Sequence, residues 1–105
     1  MTIEEAKTRV YHEASDGLAY TSRMGDYSSE ENFILLLEAI RVITESLRGQ
    51  DLVDRSLFSS LFVIGNQLEG NVHGALAKGL KVPRWLWDKG IVDLNEALYE
   101  VFEEC

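Results

Sequence analysis

Apolar residues recur along this chain at intervals of three and four, the spacing that lays them on one side of an α-helix. The first such stripe is Ile3, Ala6, Val10 and Ala14, which predicts a helix from about Ile3 to Ala14. Thr2 and Glu5 stand three apart ahead of it as a capping box, and Ser15, Asp16 and Gly17 end it. A polar stretch over 17–29 follows, with room for a helical turn near Ala19–Arg23. The second helix is predicted from a Ser28-x-x-Glu31 box to about Arg48, with Gly49 as its stop. Phe33, Leu36, Ile40, Ile43 and Leu47 make its inner stripe, and Ile34, Leu35 and Leu37 widen it. Its charged residues reduce to one stripe, Glu38, Arg41, Glu45 and Arg48, so this helix is expected to be central.

A third helix is expected to begin near Asp51 and to bury Leu57, Leu61, Ile64 and Leu68, with Phe58 and Phe62 on the adjacent stripe. Glycine weakens a helix interior, so Gly70 followed by Asn71 predicts a break and a fresh helix that Gly79 stops. Pro83 suits the first turn of a short helix over Arg84–Lys89, ended by Gly90. The last helix is expected to start at Asp93, paired with Glu96 in an aspartate version of the box, and to bury Leu94, Leu98, Val101 and Phe102. The sum is one all-α domain over 1–105, a compact antiparallel bundle of four to six helices.

Composition narrows the function classes. Hydrophobic residues make up 46% of 105, which supplies one core without staples. The single cysteine, Cys105, allows no intrachain disulfide and no four-cysteine zinc site. The opening MTIEEAKTRV has neither the basic region nor the apolar run of a secretion signal, and the longest uncharged run, Ser56 to Leu68, is too short for a bilayer. A cytoplasmic protein without a membrane span is therefore expected. Net charge is −8, distributed unevenly: residues 78–90 hold four basic groups against one acid, and 91–105 hold five acids and no base. Such a chain repels phosphates over most of its surface, which disfavours nucleic acid and suits a basic protein partner.

Catalytic signals are thin. His12-Glu13-Ala14-Ser15-Asp16 has the start of a zincin motif but lacks its second histidine and any third ligand. Glu69 and His73 stand one turn apart, not at the three-residue spacing of di-iron bundles, and the glycines at 70, 74 and 79 match no phosphate-binding loop. The expectation is a protein that is not an enzyme and uses no metal or cofactor. Three surfaces remain as candidates for binding. One is Trp87 with Lys81, Arg84 and Lys89, where Arg84 is placed to stack on the indole while Trp85 plugs the core. A second is Tyr20, Arg23 and Tyr27 in the 17–29 stretch, and a third is the acidic face of Glu96, Glu100 and Glu103. Together they suggest a small acidic protein-binding module, in its most specific form an immunity-type inhibitor masking a basic partner. Two alternatives stand beside it: a regulator with a helix-turn-helix-like segment near 65–90, and a homo-oligomeric structural bundle.

Overall fold

The structure is a computed structural model that describes residues 1–50 and 54–103. Its helices are α1 (Ile3–Ser15), α2 (Leu18–Thr21), α3 (Glu30–Leu47), α4 (Arg55–Ala77) and α5 (Ile91–Glu103). A 3₁₀ turn over Ser22–Met24 extends α2, and a π turn over Trp85–Gly90 runs directly into α5. No strand occurs among the described residues. Contacts link α1 to α3, α3 to α5, α5 to α4 and α4 back to α1, so the four long helices close a ring around one core. The molecule measures 44 × 22 × 21 Å, the elongated shape of a bundle.

Side-chain contacts fix the directions. Phe58 stacks on Phe102 and a Cβ on Gly65 would touch Leu98, so α4 and α5 are antiparallel. Phe33 meets Trp85 near the start of α3, whereas Arg48 meets Glu100 beyond its end, so α3 and α5 run the same way. Helices α3 and α4 therefore run oppositely, as do α4 and α5. The core runs through the ring, with Val10, Leu36, Ile40, Ile43, Leu61, Ile64, Leu68 and Leu94 all fully buried. Helix α3 supplies seven buried residues, more than any other helix described, which gives it the central part in the core. Its outer flank is nonetheless open to solvent, and Ile34 is 54% exposed.

Local sequence explains most ends. The Thr2–Glu5 box is present in full: Glu5 N–H donates to Thr2 Oγ1 and Thr2 N–H to Glu5 Oε1, both at 3.1 Å. These bonds favour the charged carboxylate and lower the Glu5 pKa. Asp54 caps α4 by accepting from Ser56 N–H at 2.8 Å, and the Tyr11 hydroxyl donates to its other oxygen at 3.4 Å. Desolvation, then the neighbouring Asp54 carboxylate, raises the Tyr11 pKa.

Four expectations are corrected. The cap of α3 is Ser29, not Ser28: Ser29 has the extended backbone a cap needs and accepts from Asn32 N–H, while Ser28 takes a left-handed conformation (φ 60°). There is no break at Gly70, because Leu68 and Val72 are both buried on one continuous face of α4, and that burial outweighs the weak helical preference of glycine. Gly90 does not end a helix and Asp93 does not begin one. Ile91 N–H donates to Leu86 O across a π turn, and Asp93 already lies inside the first turn of α5. Phe102 is not core, at 39% exposed. The predicted start of the third helix at Asp51 lies outside the described residues.

Candidate functional site

Two of the sequence candidates, distant in the chain, are brought together at one end of the bundle. The 3₁₀ turn after α2, the last turns of α4 and the connection after α4 line a cleft of about 400 Å³. Arg23 and Tyr27 come to it from one side and Lys78 and Lys81 from the other, over a floor that includes Gly70, Asn71 and Gly74. It continues past Gly25, Tyr27 and Lys81 into a second hollow closed by Pro83. The geometry has a local cause. Asn71 Nδ2 donates to Ser22 Oγ at 2.9 Å and, more weakly, to Ala19 O at 3.4 Å, which ties the α2 turn to α4. Tyr27 is buried, 5% exposed, and serves as a wall of the cleft. Tyr20 points outward at 48% exposed and does not line it.

The tryptophan segment divides as its spacing implies. Trp85 is half-buried with its ring centroid 5.5 Å from that of Phe33, and Trp87 is 44% exposed. Arg84 does not stack on Trp87. It reaches one turn ahead to Asp88, with Nε 3.5 Å from a carboxylate oxygen, because i,i+4 partners face each other on a helix. Lys89 is exposed beside it.

The acidic candidates flank a different feature. Between α3 and α5 runs a cleft of about 280 Å³, lined on the α5 side by Asp93, Glu96, Ala97 and Glu100 and on the α3 side by Leu37, Ile40, Arg41 and Thr44. Arg48 sits at its end and bridges Glu45 (3.1 Å) and Glu100 (3.3 Å), an exposed network of small energetic value. Glu103 is exposed farther along α5.

One surface was missed by sequence reasoning. Phe62 is 63% exposed on α4, and Tyr99 (67%) and Phe102 (39%) are exposed on α5 beside it. With Phe58 stacked on Phe102 at 5.7 Å, these aromatics form a strip along the outside of the α4–α5 seam. The available signal was position: Phe62 stands off the Leu57–Leu61–Ile64–Leu68 stripe, so burying that stripe turns Phe62 outward.

Among the described residues, no three histidine, aspartate, glutamate or cysteine side chains converge as a metal site would require. His12 and Glu13 are 3.9 Å apart, as are Glu69 and His73, and both histidines are exposed. Also among the described residues, no helix is long and apolar enough to cross a membrane. Comparison with protein-family models, with curated proteins and with solved structures finds no match.

Proposed function

We propose that this chain is a small acidic protein-binding module whose task is to mask a basic partner, in the manner of an immunity-type inhibitor. The observation that carries the proposal is the α3–α5 cleft, where Asp93, Glu96 and Glu100 follow one another along one wall beside Ala97, facing Leu37, Ile40, Thr44 and a single base, Arg41, on the other. Carboxylates beside apolar surface suit a lysine or arginine, whose stem packs while its head pairs. The charge layout supports the same reading. Lys78, Lys81, Arg84 and Lys89 all precede α5, and the acids follow along it, from Asp93 in its first turn to Glu103 at its end. A basic partner is therefore repelled from one end and steered to the other, and such steering raises association rates. The regulator alternative has less support, since residues 65–90 carry only four basic groups, Lys78, Lys81, Arg84 and Lys89, in a chain of net charge −8, which disfavours contact with phosphates.

Affinity capture from host lysate, at low and high salt, tests the proposal with wild type beside a Glu96→Lys/Glu100→Lys variant. A partner of high isoelectric point, held at low salt by wild type and lost on charge reversal, is the expected result. Equal capture by both proteins, or retention of acidic partners alone, would refute it.

A further inference from the structure

The exposed face of α4 has a symmetry that folding of a single chain does not require. Ser56 to Leu68 is uncharged, 13 residues in a protein of net charge −8, and its midpoint is Phe62. Phe62 is also the most exposed aromatic on that helix. The charges that bound the run are Arg55 and Glu69, seven residues before and seven after the midpoint. At 100° per residue, positions seven apart differ by about 20° around the axis, so Arg55, Phe62 and Glu69 lie on one stripe. Arg55 is exposed, and the Glu69 side chain is 46% exposed.

We propose that this seam is the contact surface of a two-fold homodimer, in which α4 crosses its own copy antiparallel with Phe62 at the axis. Antiparallel pairing about residue 62 sets position 62 + n of one chain beside 62 − n of the other. Arg55 of each copy then meets Glu69 of its partner, twice by symmetry, and Phe62 meets Phe62. A two-fold lying in the contact plane perpendicular to α4 keeps α5 on the same side in both copies. Tyr99 and Phe102 of the two chains therefore close over the same patch. Depletion of charge together with aromatic enrichment is the compositional mark of an interface core, and a self-complementary patch is what an isologous contact demands. The occupant follows from self-complementarity. Two chains of net −8 repel over most of their surfaces, Glu96, Glu100 and Glu103 of α5 included. The α4 half of this patch, by contrast, is uncharged at its centre, and its bounding charges, Arg55 and Glu69, are of opposite sign and pair across the two-fold. The α3–α5 cleft lies on the other flank of α5 and stays open in such a dimer, so this inference stands apart from the proposed masking role.

Light scattering of the full chain, from low micromolar to several hundred micromolar, reads the assembly directly. Wild type should approach twice the single-chain mass. Phe62→Glu, which sets a charge on a largely exposed position, should stay at single-chain mass with unchanged helical circular dichroism. Arg55→Glu opposes like charges at both rims and should weaken the dimer several-fold, the modest effect of losing two exposed ion pairs. Adding Glu69→Arg to it should restore wild-type association. Single-chain mass for wild type throughout, an undisturbed Phe62→Glu dimer, or failure of the charge swap to restore association would overturn the inference. So would a monomeric chain whose Phe62 is needed to hold a different protein.

Discussion

Gly70 and Gly74 sit on the exposed side of α4, where an added Cβ would meet nothing within 4 Å. Each should therefore yield to alanine with a gain of about 0.5–1 kcal/mol, because the unfolded chain loses freedom and the helix loses nothing. Gly90 presents the opposite case. A Cβ there would stand 2.8 Å from the carbonyl oxygen of Trp85 and 3.2 Å from the Phe33 ring, both fixed by the π turn and its packing. Gly90→Ala should cost about 1–3 kcal/mol, as overpacking of a fixed site does. Thermal melts of the three single variants should rise, rise and fall in that order. The tryptophans can be told apart by emission: Trp87→Phe should leave a blue-shifted band from half-buried Trp85, and Trp85→Phe a red-shifted one from Trp87. Coincident bands would contradict their different exposures.

At the scale of elements, the junction of α1 and α2 holds a carboxylate against its preference. Burial raises the Glu13 pKa, opposed by His12, Arg9 and a hydrogen bond from Leu18 N–H. Its native pKa exceeds the ordinary value of 4.5, so the native state binds the proton more tightly than the unfolded chain. The associated stability is complete below the unfolded pKa and is lost as pH rises through the native one. Glu13→Gln, which keeps an acceptor for Leu18, should raise the melting temperature at pH 7, and the gain should vanish below pH 4.5. The limits of pattern reading also show at this scale. The amphipathic stripes of α1, α3 and α4, the Thr2 box and the helical turn after Gly17 were legible because each depends on residues within one or two turns. The run through Gly70 and the π turn at Trp85–Gly90 were not. In the first, burial of Leu68 and Val72 outweighs a local penalty of about 1 kcal/mol per glycine. In the second, close packing of Gly90 against Phe33 of another helix accompanies a turn that the local signals, Gly90 and Asp93, mark as an end and a beginning.

The whole molecule is polar in the electrical sense. Arg23, Lys78 and Lys81 gather around one cleft, and the acids of α5 line another. A net charge of −8 on so small a body also repels itself, and added salt screens that repulsion over a Debye length of about 10 Å at 0.1 M. The melting temperature should therefore rise as ionic strength increases from very low values toward 0.1 M, then level off. A fall over that range would mean that the exposed ion pairs of Arg48 and Arg84 outweigh the net repulsion, contrary to the small value of such pairs.

The sequence alone determined that this protein is all-helical, where most of its helices lie, and which stripe of each faces inward. Those properties follow from hydrophobic spacing and capping groups, whose physics reaches only a few residues. Tertiary structure alone decided which surfaces meet. It carried Arg23 across to Lys81, set Glu96 and Glu100 along α3, and turned Phe62, Tyr99 and Phe102 outward along one seam. Ring order and helix phase are fixed only when the apolar faces close on one another, because burial is shared among helices and belongs to none of them singly.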